Sequence, residues 1–553
     1  MTDKLALDLA LHWERTTPDA PYLTQPVGGG QVQTLTWGEA LTEARRMAAH
    51  LVSRELPAGS RIAIFSKNCA HWILADLAIW MSGHVSVPIF PTVGADSVRY
   101  VLEHSESVLL FVGKLDVWEA AKAGVPDGLD CIAFPLAPDT PYPRWDDVLD
   151  GVEPLGDFPA RKAEELATIV YTSGSTGTAK GVMLSFGAMA SSAGGLGDDL
   201  GISSDDRMLS YLPMSHVFER WVVEMGSLAY GFQVFFAESL DTFVADLRRA
   251  KPTLFVSVPR LWQKFQLGVH AKMPAGRLRF LLKLPIISGI IRKKVLTGLG
   301  LECVRYAGSG SAPIPPQLIE WYRALGLELL EGYGMSENFC YSHASRPGHA
   351  RVGYVGTAYE GVECRISEEG EIQMTSPGLM MGYYKEPELS AAAFTEDGFL
   401  RTGDRGEIDA EGRLKITGRV KELFKTSKGK YVAPAPIENR LQTHPDVEIT
   451  CVGGSGQPQP HAVVVLSPEV REQLADPATR AQLEASLGEH LAAVNGQLAK
   501  HESLAFLAVA KGDWTIENGM LTPTMKIKRH SIEETYAPSA DAWYGAKSPV
   551  VWE

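Results

Sequence analysis

The residues best suited to chemistry begin at Thr168, in the run TIVYTSGSTGTAKGV. A short β-branched stretch leads into Thr172, Ser173, Gly174, Ser175, Thr176, Gly177, Thr178, Ala179, Lys180 and Gly181. Glycines let a backbone turn tightly and approach a ligand closely. Successive amides and hydroxyls then point at phosphate oxygens. Lys180 adds a mobile positive charge for the distal phosphates. The run is not a Walker A loop, which needs Gly-Lys-Ser/Thr, whereas Lys180 sits between Ala179 and Gly181. Taken alone, a plain flexible Ser/Gly/Thr loop competes with phosphate binding.

Two carboxylates stand out further along. Glu337 follows a Tyr-Gly turn in EGYGMSEN at 331–338. A hard carboxylate there suits Mg²⁺, which prefers oxygen ligands and nucleotide phosphates. Asp404 ends RTGD at 401–404. A carboxylate accepts two hydroxyl hydrogen bonds, so it can grip a ribose diol. A simple turn-forming Asp is the competing reading.

The elements that must position these groups read as α/β. Thr36–Glu55 has helical spacing, with Leu41, Ala44, Met47, Ala48 and Leu51 on one stripe. Arg61–Phe65 reads as a strand, 72–81 as a helix and Val85–Ile89 as a strand, which predicts a largely parallel sheet. A second alternation runs from about Ala167 to Leu330, with strands expected at Thr168–Tyr171, Val234–Phe236, Leu254–Val258 and Leu327–Leu330. After about Ala350 short strands and turns predict a β-rich subdomain, including a hairpin around Glu369–Gly370 and a strand at 414–418. Beyond 418–421 the pattern predicts a small α+β unit. Its helix is expected at 436–442, a strand at 462–466, a long helix over about Glu469–Lys500 and a strand at 504–510. We therefore expect a large N-terminal domain over 1–419 and a small C-terminal domain over 420–553. The tail from Tyr536 is rich in small residues, Pro and Trp, and its role is not readable.

Composition bounds the partners. The chain has 553 residues and a net charge of −14, from 52 Lys and Arg against 66 Asp and Glu. That argues against a dedicated nucleic-acid binder, which carries a basic face. It leaves room for a local basic funnel. The six cysteines are scattered without a CxxC pair. Neither a zinc site nor a disulfide framework is indicated, and a reducing, cytoplasmic compartment fits best. No apolar run is long enough to span a bilayer. The segment RLRFLLKLPIISGIIRKK at 277–294 surrounds an apolar centre with six cations. It reads either as a partly buried helix pair broken at Pro285 and Gly289 or as a peripheral contact with the inner face of an anionic membrane.

The Thr172–Gly181 segment closely resembles the phosphate-binding motif of the adenylate-forming superfamily: acyl-CoA synthetases, luciferases and peptide-synthetase adenylation domains. Further motifs follow in the family's order: EGYGMSEN at 331–338, RTGD at 401–404, GRVKELFKTSKGKYVAP at 418–434 and a late Lys in LTPTMKIKR at 521–529. The resemblance spans nearly the whole chain. It implies ATP as substrate and Mg²⁺ held by Glu337, with Thr172 as a second ligand. It implies that Tyr333 stacks on adenine and Ser336 meets the α-phosphate, with Glu331, Gly332 and Gly334 in the same nucleotide site. Asp404 would hold the ribose with Arg419 beside it. Lys526 would contact the substrate carboxylate and the nucleotide phosphate. The family has Gly before this Lys, whereas Met525 stands here, and Lys528 lies two positions on. Lys421 aligns with a hinge about which the mobile C-terminal domain swings, and Lys425 and Tyr431 with ATP-contacting positions. The extra Lys428-Gly429-Lys430 makes that loop basic enough to suit the phosphates of coenzyme A.

LPMSHVFER at 212–220 resembles the long-chain fatty acyl-CoA synthetases in particular. It implies a fatty acid as substrate, with His216 near the reacting carboxylate. VPRLW at 258–262, AGSGSAP at 307–313 and GYYKEPE at 382–388 resemble the same group, and Gly310 and Ser311 would line the adenine and acyl pockets. Another carboxylic acid, or an acyl-carrier protein in place of coenzyme A, is the alternative.

Overall fold

The computed structural model describes residues 4–173, 179–195, 197, 200–516, 518–522 and 525–553. The chain forms two compact units. The first takes in residues up to Ala312 together with Leu318–Cys364 and Met374–Leu400. The second comprises Pro313–Gln317, Arg365–Gln373 and Arg401–Glu553.

Two sheets build the first unit. Among the described residues one has seven strands, with a parallel centre of Leu166–Ser173, Val85–Ile89, Arg61–Phe65, Ser107–Val112 and Asp130–Ala133. Ala179–Ser185 and then Gly382–Tyr383 extend it antiparallel on the Leu166–Ser173 side. The other has nine strands among the described residues. Leu329–Tyr333, Tyr306–Ser309, Leu254–Ser257, Arg207–Ser210, Gln233–Phe236 and Pro21–Gly28 run parallel, in that order. The expected alternation over 167–330 is therefore shared out: Leu166–Ser173 joins the first sheet, and the later strands join the second.

Helix Ala70–Met81 packs against strands of both sheets. Apart from His71 and the buried Asp76 it is apolar, with Trp72, Leu74, Leu77, Ile79 and Trp80 all buried, as a helix enclosed between layers must be. Helix Trp37–Ser53 starts at Thr36, whose hydroxyl accepts from the Glu39 amide while Glu39 accepts from the Thr36 amide. Its buried face includes the expected stripe of Leu41, Ala44, Met47, Ala48 and Leu51.

In the second unit the hairpin around Glu369–Gly370 is closed by the Ser367 amide on the Glu371 carbonyl, with Gly370 at φ +81°. Leu400–Ile408 pairs antiparallel with Leu414–Arg419. A four-stranded sheet follows, in the order Val447–Gly453, His461–Leu466, Leu507–Val509 and Val550–Trp552. One expectation is corrected here. The long helix over 469–500 is two helices, Pro468–Arg471 and Pro477–Asn495. Asp476 breaks it by capping the amides of Ala478 and Thr479, and Pro477 takes the first helical position, where its missing N–H costs nothing. The tail from Tyr536 completes helix Arg529–Ala546 and adds a strand, Val550–Trp552, parallel to Leu507–Val509.

The most constrained point of the first unit is Arg220. It is fully buried, pairs with Asp76 and Glu224, and donates to the Thr168 hydroxyl at 2.7 Å. The Trp72 and Trp80 rings lie 5.3 and 5.7 Å from its guanidinium. Burial pushes the Glu224 carboxyl well above the ordinary range; it opposes the Arg220 charge as well, which Asp76, first among its neighbours, holds in place. Arg220→Met should destabilise the protein by about 3–5 kcal/mol in urea unfolding, because it strands a buried acid. Adding Asp76→Asn should recover part of that loss; no recovery would show that the cost is packing alone.

Candidate active site

The phosphate motif is a hairpin. Leu166–Ser173 and Ala179–Ser185 pair antiparallel, with Thr172 opposite Lys180 and Ser173 opposite Ala179. The side chain of Ser173, and Gly174, Ser175, Thr176 and Gly177 entirely, lie outside the described residues. Lys180 is described, and its ammonium stands over the Tyr383 ring, 5.2 Å from the centroid.

Tyr383 in turn donates its hydroxyl to Glu337 Oε1 at 2.8 Å. Burial first, and then the Glu337 carboxylate, push the phenol's pKa up, so it stays a donor. A backbone bond from the Met380 amide to the Glu337 carbonyl fastens the same two segments at 2.8 Å. Lys180, Tyr383 and Glu337 thus form one chain of contacts from the phosphate hairpin to the candidate metal ligand. The other Glu337 oxygen makes no hydrogen bond among the described residues.

The remaining motifs of this unit converge. A Cβ placed on Gly310 would lie 3.5 Å from the Gly332 carbonyl and 3.6 Å from the Phe218 ring, so 307–311, 331–334 and the His216 motif are neighbours. Ser311 is exposed at φ +67°. Gly334 has no alternative: a Cβ there would sit 2.4 Å from the Cys340 carbonyl. The Tyr333 ring lies 6.5 Å from the His343 ring, and Ser336 is buried. Burial raises the Glu331 carboxyl to about 8, against one backbone amide from Gly353. His216 Nδ1 accepts the Phe218 amide at 3.1 Å, which places the proton of a neutral ring on Nε2.

Two buried neighbours hold the His216 segment. Glu219 accepts the Ser210 hydroxyl and the Tyr211 amide at the end of one sheet, and Asn68 Nδ2 at 3.2 Å. Burial lifts its carboxyl to about 8 despite these donors. Arg220 reaches Thr168 on the other sheet. The acid and the base of HVFER therefore pin one short turn to both sheets.

The second unit carries the other predicted residues. Asp404 is buried opposite Arg419 in the strand pair, and Arg419 Nε donates to its Oδ1 at 2.9 Å. Lys421 is exposed in the short turn Val420–Glu422. Lys425 and Tyr431 face each other across a two-stranded hairpin, with the ammonium 5.0 Å from the ring centroid. Lys526 is exposed, and the Thr522 amide donates to its carbonyl at 2.7 Å. Met525 stands at φ +62°. That left-handed conformation favours glycine, which accounts for the family's usual residue and marks a local strain here. Lys528 instead precedes helix Arg529–Ala546.

Residues 11–384 match the family model described as AMP-binding enzyme, and 422–548 the one described as AMP-binding enzyme C-terminal domain. The chain belongs to the AMP-binding enzymes. It is an adenylate-forming ligase. It is 30% identical over 587 residues to "Long-chain-fatty-acid--CoA ligase FadD15" of Mycobacterium bovis, covering 96% of this chain and 95% of that protein. Its fold is similar to the A-PCP didomain of a carboxylic acid reductase from Segniliparus rugosus, at TM-score 0.82 and 22% identity over 98% of this chain and 82% of that one. It is also similar to the anthranilate CoA ligase AuaEII, at TM-score 0.79 and 21% identity over 98% and 99%.

Tyr383 is the residue the motifs did not single out. GYYKEPE marked only a likeness, and the bond to Glu337 crosses 46 positions. Tyr383→Phe should keep the ring under Lys180 but release the carboxylate. Acid-dependent pyrophosphate release should fall about tenfold, since hydrogen bonds to charged groups are worth about 1.5–3 kcal/mol. The melting temperature should barely move. Unchanged turnover would show that the hydroxyl does not orient Glu337.

Proposed function

We propose that this ligase activates a long-chain fatty acid and passes it to coenzyme A. The acid's carboxylate oxygen attacks the α-phosphorus of ATP, giving acyl-AMP and pyrophosphate. The pantetheine thiol then attacks the acyl carbon, loses its proton, and displaces AMP. The observation that carries the choice of acid is the HVFER turn. Its likeness to the long-chain synthetases agrees with the name of the FadD15 relative, and Glu219 and Arg220 hold it where Phe218 faces Gly310. Phosphoryl transfer asks little covalent work of a protein, so positioning and charge neutralisation dominate.

We assign the roles from the family resemblance, each within what the donor chemistry of its side chain or backbone allows. Lys180 and the hairpin amides hold the β- and γ-phosphates, and Tyr333, Gly310 and Ser311 border the adenine. Asp404, oriented by Arg419, takes the ribose hydroxyls. Lys526 offsets the charge that develops as the carboxylate attacks. The segment from 420 onward turns about Lys421 before thioester formation, withdrawing Lys526 and bringing the Lys425–Tyr431 hairpin into use.

Among the described residues no three His, Cys, Asp or Glu side chains cluster as a metal cage. Glu337, with one oxygen engaged by Tyr383, fits instead a Mg²⁺ ion that arrives on nucleotide phosphates. Bound there, with Thr172 as a second ligand, the ion would neutralise phosphate charge.

A panel of acids with ATP and Mg²⁺, with and without coenzyme A, tests the assignment. Long saturated acids should give the highest kcat/KM, with AMP and thioester formed in equal amounts. Preference for aryl or short acids would overturn the substrate. Adenylate without thioester would overturn coenzyme A and point to a carrier protein.

A further inference from the structure

From Leu247 to Leu301 the chain holds twelve Lys and Arg and no Asp or Glu, although its net charge is −14. Within this stretch helix Ala275–Leu281 and helix Ile287–Leu299 turn one face inward onto a small cluster of Leu278, Val295 and Leu325. Their other face is unusual. Phe280, Ile286, Ile287 and Ile290 are 63%, 85%, 41% and 64% exposed. Arg277, Arg279, Lys283, Arg292, Lys293 and Lys294 are exposed around them.

The turn between the helices falls at Pro285–Ile286; Gly289 lies inside the second helix, which corrects the break expected there. The Ile287 amide donates to the Pro285 carbonyl at 2.7 Å, and Ile286 sits at φ +69°, ψ −54°. This is a tight γ-turn of the rare, strained kind. A β-branched residue is the poorest occupant of that conformation and glycine the best. With its side chain 85% exposed, Ile286 gains no compensating burial within the chain.

We propose that the 275–299 helix pair is a docking surface for an anionic lipid bilayer, with Ile286 at the inserted tip. Phe280, Ile287 and Ile290 enter the acyl boundary beside it. The six cations meet the lipid phosphates, as basic residues flanking an interfacial apolar face do. No described helix is long and apolar enough to cross a membrane, so the pair lies on the surface. An exposed apolar turn flanked by cations fits a bilayer, which offers an acyl boundary and anionic headgroups together. The surface stands on exposure, charge and backbone geometry, independently of the proposed substrate.

Vesicle flotation of the full chain is the test, using phosphatidylcholine alone and phosphatidylcholine mixed with phosphatidylglycerol. The wild type should bind the mixed vesicles at least about tenfold more tightly, and salt should weaken the binding. Ile286→Gly relieves the strained turn, so its melting temperature should hold or rise while its vesicle affinity falls about tenfold. Lys293→Glu with Lys294→Glu should lose the preference for phosphatidylglycerol. Adenylation of a water-soluble acid in buffer should be unchanged in both variants. Equal binding to the two vesicle types would overturn the proposal, as would variants that bind like wild type. Self-association of the wild type that Ile286→Gly abolishes, without vesicle binding, would assign the surface to a second copy instead.

Discussion

The first unit depends on how it accommodates charge inside its core. Arg220, Asp76, Glu224 and Glu219 are all buried, where an unpaired ion is very costly. The arrangement resolves this unequally. Asp76 pairs with Arg220, whereas burial pushes Glu224 and Glu219 toward their neutral forms. A buried cation needs partners from fixed directions, and Arg220 takes them from helix Ala70–Met81, strand Leu166–Ser173 and its own next turn. Strand Leu166–Ser173 is one arm of the candidate phosphate hairpin. The turn that carries His216 and the strand that carries Thr172 therefore share one anchor. A phosphate site placed there, as proposed, would draw its precision from such rigid support.

Much of this was legible because the family's motifs are local. Glycines, hydroxyls and a lysine in one run, or a carboxylate after a Tyr-Gly turn, declare themselves within ten residues. So did the amphipathic helix Trp37–Ser53 and the strands Arg61–Phe65 and Val85–Ile89. What escaped is what the chain brings together from afar. Tyr383 lies on a two-residue strand, too short for any periodic signal, and its use depends on sheet register against Val182. The helix break at Asp476–Pro477 had a local signal, a cap followed by proline. Met525 could be noted as unusual, but only the backbone explains why glycine belongs there. The strand Val550–Trp552 escaped because its parallel pairing with Leu507–Val509 is non-local.

Charge is distributed by task as well as by burial. The protein is acidic overall, yet its substrates, as proposed, are a carboxylate, a nucleotide and a phosphorylated thiol. The cations that suit them sit on hairpins and turns: Lys180 beside its tyrosine, Lys425 over Tyr431, Lys526 next to the strained Met525. Lysines on short, well-pinned turns lose less freedom on engaging phosphate than lysines on long loops. The acidic remainder keeps the surface from attracting polyanions indiscriminately.

The central claim is that a substrate carboxylate attacks the α-phosphorus of ATP. It is tested most directly by the fate of the carboxylate oxygens. A long-chain fatty acid labelled with ¹⁸O in both carboxylate positions, turned over once with ATP and coenzyme A, should leave a single ¹⁸O in the AMP phosphate by mass spectrometry, and none in pyrophosphate. Label in inorganic phosphate, with ADP as the nucleotide product, would mean attack at the γ-phosphorus and would contradict the account.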